Sequence, residues 1–172
     1  MFLNYIKRVL IKKTLKSSIR NVKVDNTKNP IKTVGLFVDE SCFLNTDDLI
    51  KEIVSNGIAE SNIKVIAYRD VLKKNEVYSC PTFGLKDFNF KGTIELQLIN
   101  GFISDEFDLL INYYDVEKPV LLLLTNNSKA KFKVGFSSID KRLNHLMINS
   151  NVENYIVFTH ELFRYLKILN KI

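Results

Sequence analysis

The 172-residue chain has no tryptophan, three prolines, six glycines and two cysteines. Each scarcity argues against something. The glycines, at positions 35, 57, 84, 92, 101 and 135, are scattered along the chain. A loop that cradles phosphate needs closely spaced glycines, so that backbone N–H groups can converge on the anion. No G-x-G-x-x-G or Walker A pattern occurs, which argues against a tightly held dinucleotide or nucleoside triphosphate, and no cofactor is expected. Cys42 and Cys80 stand 38 positions apart and only two histidines, His145 and His160, accompany them. A zinc centre would need nearly all of these to converge, so no metal site is expected. A Cys–His nucleophile pair stays open, but structural cysteine is the favoured reading, with reduced thiols in the cytoplasm. No G-x-S-x-G nucleophile elbow is present and no catalytic residue is assigned. The longest strong apolar run, Val120–Leu124, is far short of a membrane span, and Met1–Lys13 lacks the apolar core of a signal peptide.

What is abundant is positive charge in one place. The first 33 residues hold nine Lys/Arg against one acid, Asp25, while the remaining residues hold 16 Lys/Arg against 18 Asp/Glu. The overall net charge of +6 therefore describes one segment. Such a segment either meets an anion, such as RNA or a lipid headgroup, or is a solvated helix face. The residues concerned are Lys7, Arg8, Lys12, Lys13, Lys16 and Arg20. RNA or a ribonucleoprotein is preferred over a membrane surface, because interfacial anchoring wants a broader apolar face, usually with Trp.

Phe2 to about Arg20 contains no Gly or Pro and reads as a helix with two apolar stripes. Phe2, Leu3, Ile6, Val9 and Leu10 share one face; Ile11, Leu15 and Ile19 share another. A helix that packs on its own domain with one half and on another partner, or a second copy, with the other has this pattern. Asn26–Pro30 reads as a linker, which divides the chain into a basic arm and linker (1–30) and a single domain (31–172).

The body opens with a buried strand, Val34–Val38, then a helix with Thr46 as its cap and Gly57 at its end, then a strand at Ile63–Tyr68. About twenty residues without periodicity follow, Lys74–Thr93, in which Tyr78, Phe83, Phe88 and Phe90 are interleaved with Lys86 and Lys91. These either stack bases or pin an irregular loop to the core, the latter being favoured, and the segment is a lid or a fixed loop. A helix at Ile94–Ile103, a strand at Phe107–Tyr113 and a helix starting at Pro119 come next. Phe132–Phe136, His145–Asn149 and Tyr155–Phe158 read as strands, with Thr159 capping a terminal helix. Alternation puts Lys129, Lys131 and Lys133 on one solvated strand face. Alternating strands and helices predict an α/β three-layer sandwich, Rossmann-like, with a mostly parallel sheet and an added basic N-terminal helix. In such sheets ligands sit at the carboxyl ends of the strands. Asp39, Glu40, Tyr113 and Asp115 are therefore the alternative, crevice candidates, while the favoured reading of Asp39 and Glu40 is that they are exposed loop acids.

Two resemblances bear on these segments. Phe107-Asp108-Leu109-Leu110-Ile111-Asn112-Tyr113-Tyr114, followed by Ser128-Lys129-Ala130-Lys131-Phe132-Lys133-Val134-Gly135-Phe136, resembles a family of short bacterial proteins of unknown function. That likeness covers nearly the whole chain and implies no activity. The same segments are more distantly similar to the N-terminal, Rossmann-like half of heptosyltransferase-type glycosyltransferases. This likeness implies the fold. It also implies a departure, since Asp39-Glu40-Ser41 replaces that family's Gly-Asp turn and the half carrying the donor site is absent. The expected protein is a non-catalytic binding domain; a small-ligand protein using the crevice near Asp39 and a protein-interaction module are the alternatives.

Overall fold

The computed structural model describes residues 2–23, 30–91 and 93–172, without the side chain of Phe2. The linker positions 26–29, Asp25 and Gly92 lie outside the described residues. Helix α1 spans Phe2–Ser18. It is followed by β1 (Val34–Asp39), α2 (Thr46–Ser55), β2 (Ile63–Tyr68), β3 (Thr82–Phe83), α3 (Gln97–Ser104), β4 (Leu109–Tyr113), α4 (Pro119–Asn127), β5 (Phe132–Phe136), β6 (Leu146–Ile148) and α5 (Tyr155–Ile168). The six strands are all parallel and ordered β3-β2-β1-β4-β5-β6. This is the Rossmann-like order, and its direction reverses between β1 and β4.

The central strands are apolar because they are covered on both faces: every residue of β1, β4 and β5 is buried. Right-handed crossovers from β1 to β2 and from β4 to β5 run in opposite directions along the sheet, which sends α2 and α4 to opposite faces. Accordingly α2 packs with α5, and α4 packs with α1 and α3. Gly35 in β1 is required by a close approach: a Cβ there would lie 2.7 Å from the Phe107 ring. Gly57 follows α2 with φ of 100°, the left-handed conformation that glycine adopts without strain.

Helix α1 joins this core. Ile11 and Leu15 are buried in the same cluster as the sheet residues, with Ile19 packed against it, while Leu3 and Val9 stay exposed. Of its two apolar stripes, the second is the one that docks on α4.

Several local readings are corrected. Tyr155–Phe158 is not a strand but the first turn of α5, whose N-cap is Asn154, accepting the Val157 N–H at 3.3 Å. The Tyr-Ile-Val-Phe run has high strand propensity, but the stripe Phe158, Leu162, Phe163, Leu166 buries as a helix, and packing decides. Thr159 lies inside this helix, its hydroxyl donating to Tyr155 O at 2.8 Å, and Leu169 at its C-terminal cap is exposed. Thr46 likewise sits within α2 rather than capping it; Asn45 takes the N-cap position. Residues 74–93 hold β3 and a 3₁₀ turn, Leu85–Asp87; Phe83 and Phe88 are buried while Phe90 is exposed. Finally, Lys133 is not on a solvated face but only 6 % exposed.

Candidate functional site

The orientation of α1 sorts its basic residues into two groups. At 3.6 residues per turn, each position advances by about 100°. Measured from buried Ile11, Lys7 and Arg8 lie beside the docked seam, whereas Lys12, Lys13 and Lys16 fan across the opposite side. The contacts follow this division. Lys7 Nζ donates to Lys86 O at 3.0 Å and lies 5.6 Å above the Phe90 ring. Arg8 approaches Asp70 Oδ1 at 3.8 Å. Lys12, Lys13, Lys16 and Arg20 are exposed, and none has a carboxylate partner among the described residues. The helix contains no acid. Arg8–Lys12 and Lys12–Lys16 are like-charge pairs four apart, which oppose helix formation.

The strand-end crevice is built differently. Asp39 closes β1 and is 1 % exposed, and Glu40 beside it is buried as well. Both are satisfied from within. Asp39 Oδ1 accepts the Ser41 N–H at 3.0 Å. Asp39 Oδ2 has no aligned hydrogen-bond donor, and its compensation is the Lys118 ammonium 2.7 Å away. Lys118 also reaches Asp70 Oδ2 at 2.7 Å, and the Tyr68 hydroxyl donates to Asp70 Oδ1 at 2.9 Å. Glu40 accepts from Arg69 Nε at 2.9 Å and from the Thr46 hydroxyl at 3.1 Å, and Arg69 also holds Glu76 at 3.0 Å. Burial alone would push the Lys118 amine down, but the two carboxylates outweigh it and raise it. Burial would likewise raise Asp70, and the donors Lys118 and Tyr68 hold it below its ordinary value.

These pairs fill the space where a ligand would sit. The remaining cleft, lined by Arg8, Tyr68, Asp70, Glu117 and Lys118, measures about 180 Å³. That is below the usual range for small-molecule sites. The turn after β1, where related folds seat a pyrophosphate, presents two buried carboxylates, and Asp47 and Asp48 follow in the first turn of α2. An anion there would meet four acids. Tyr113 is fully buried, with its hydroxyl donated to Val152 O at 2.6 Å, and Asp115 is half-buried at the same strand end. The crevice candidates thus come near one another, but Tyr113 spends its polar atom on the fold.

The cysteines are not activated. Burial and the neighbouring Glu40 push the Cys80 thiol up to about 11, and burial together with Asp39 raises that of Cys42. A reactive thiolate needs the opposite shift. Among the described residues no group of three His, Cys, Asp or Glu side chains is placed to hold a metal ion, and no helix is long and apolar enough to cross a membrane.

Sequence reasoning missed a buried polar system between β4, β5 and α4. The Tyr114 hydroxyl meets Thr125 Oγ1 at 2.7 Å, Thr125 donates to Asn112 Oδ1 at 3.0 Å, and Asn112 Nδ2 donates to Asn144 Oδ1 at 2.8 Å. Gly135 makes room for it: a Cβ there would lie 2.6 Å from Asn144 Nδ2. Asn112 within an otherwise apolar strand was its one visible signal.

The fold and its side-chain-filled crevice define a Rossmann-like α/β domain that, among the described residues, has no phosphate-binding turn after β1 and carries a basic helix on one face. Comparison with known families places it further. The chain belongs to DUF6913, a family of unknown function, whose model matches residues 7–169, including most of α1. No curated protein matches the chain.

Proposed function

We propose that this protein is a non-catalytic, cytoplasmic binding domain that presents Lys12, Lys13 and Lys16 of helix α1, with Arg20 just beyond its end, to the phosphate backbone of RNA, free or in a ribonucleoprotein. The observation that carries the reading is the unpaired, acid-free outer face of a helix whose inner face is fixed in the core. Docking through Ile11 and Leu15 holds the four cations on a rigid surface, so little ordering entropy is lost on binding. Of the six basic residues, Lys7 and Arg8 are already engaged with the body, so they contribute least. Binding of this kind is dominated by phosphate contacts and tolerant of sequence. The crevice carboxylates are neutralised internally, which favours a binding role over a catalytic one.

The test is binding of a fluorescent single-stranded RNA to the full chain and to K12Q/K13Q/K16Q. Deleting the helix would unseat Ile11 and Leu15 and confound the result, whereas these three positions are exposed. The triple variant should keep its fold and lose at least about tenfold in affinity, as loss of several phosphate contacts implies. Equal binding by both chains would overturn the proposal.

A further inference from the structure

A second cavity of about 180 Å³ lies where the end of α1 meets the β5–β6 connection, lined among others by Arg20, Asn21, Asn126, Lys133 and Arg142. None of its described lining residues is acidic. Lys133 rises from β5 on the α4 side and is 6 % exposed, with its Nζ donating to Thr125 O, in the last turn of α4, at 2.7 Å. One bond leaves two of the ammonium's three N–H groups without a partner, and no described carboxylate forms an ion pair with it. Arg142 is held by Asp140, with its Nε at 3.0 Å from Oδ1. The Val22 N–H donates to Arg142 O at 2.9 Å, which fixes the segment carrying Arg20 against the same loop.

A buried ammonium without a counter-charge is costly, and proteins compensate such groups with a partner or a bound ion. Burial pushes the Lys133 amine down to about 8. The groups around it are Arg20 beyond α1, Thr125 and Asn126 on α4, and Arg142, Asp140 and His145 on the β5–β6 connection. Asp140, the one acid in this set, already pairs with Arg142.

We propose that this cavity binds a single phosphate-type oxyanion, with Lys133 as its buried ligand and Arg20 and Arg142 at its mouth. The volume suits one oxyanion rather than a nucleoside, for which sites are larger. The anion is either free phosphate or the terminal phosphate of a polynucleotide. The inference rests on buried Lys133; Arg20 is shared with the proposed RNA face, and the K12Q/K13Q/K16Q chain, which keeps both Arg20 and Lys133, separates the two readings.

Inorganic phosphate is titrated into the full chain at constant ionic strength, following the lysine side chains by NMR. A parallel arm compares 5′-phosphorylated and unphosphorylated oligonucleotides of one sequence. Saturable binding is expected, with the Lys133 titration midpoint moving upward. K133M should weaken phosphate binding by about tenfold or more, as loss of a charge-assisted hydrogen bond implies. R20S, at an exposed position that does not threaten folding, should weaken it severalfold. A preference for the phosphorylated oligonucleotide that K133M removes identifies a terminal phosphate as the anion, and its absence assigns the site to free phosphate. An absent response to phosphate, or one unchanged in both K133M and R20S, overturns the proposal.

Discussion

Lys118 Nζ stands 2.7 Å from Asp39 Oδ2 and 2.7 Å from Asp70 Oδ2, so one ammonium ties the approach to α4 to the ends of β1 and β2. This junction occupies the point where the strand order reverses, which in related folds is the ligand crevice. Its removal should therefore harm the fold. K118M leaves Asp39 buried without compensation, and breaking a buried pair from one side typically costs about 3–5 kcal/mol. Urea unfolding should show a loss of that order near neutral pH. The double variant D39N/K118M, with the charge removed from both sides, should recover part of it. Full stability in K118M would mean that the pair contributes nothing and that the crevice is free to bind.

The docking of α1 predicts a second effect. Ile11 is fully buried between α1 and the body. I11A should cost about 2–5 kcal/mol through lost burial and the cavity left behind. Thermal unfolding should remain a single transition at lower temperature if the helix is integral. An unchanged midpoint would mark the helix as an appendage.

Lys133 gives a stability that rises with pH. Its amine titrates near 8 in the folded chain against 10.5 in the unfolded one. Below pH 8 both states hold the proton and the full cost of burial is present. Between pH 8 and 10.5 the unfolded state binds more protons, so stability increases through that window. The shift corresponds to about 3 kcal/mol. K133M should stabilise the chain at pH 7 by about 2 kcal/mol, after about 1 kcal/mol is lost with the bond to Thr125 O. Its denaturation curves should also lose this alkaline rise. The measurement is urea unfolding at pH 7 and pH 10.

Asp108 behaves in the opposite sense. Burial would raise its carboxyl, but Lys131, the Thr33 hydroxyl and the N–H groups of Thr33 and Lys32 outweigh it and hold it at about 2. A carboxyl lowered in the folded state contributes stability above the unfolded value near 3.8, and that contribution is lost as pH falls towards 2. D108N should cost about 1–2 kcal/mol at pH 6 and almost nothing at pH 2. Parallel curves at both pH values would contradict the clamp.

The sequence exposed the central strands because their burial on both faces leaves apolar runs, as in Val34–Val38 and Leu109–Ile111. It could not reveal β3, a two-residue strand with no periodicity to read. The start of α5 was hidden by β-branched and aromatic residues that helix packing overrode. Asp39 and Glu40 invited an exposed reading because their partners, Lys118 and Arg69, are distant in sequence and near only in the fold. Lys133 was masked by alternation with Lys129 and Lys131. Strand β5 starts at Phe132, and only Lys133 lies within the covered strand. The five basic positions of α1, and Arg20 just beyond it, were visible as charge. What separates Lys7 and Arg8 from the others is rotation about the helix axis, and it follows from which apolar stripe docks.

The outer face of α1 is proposed to meet a polyanion. The most direct test is the RNA affinity of the intact chain as a function of salt. Log K should fall linearly with log salt, with a slope of about −2 to −3 for four phosphate contacts on a single strand. In K12Q/K13Q/K16Q, which keeps only Arg20, the slope should fall to about −0.7. Affinity independent of salt, or a slope unchanged in the triple variant, would contradict it.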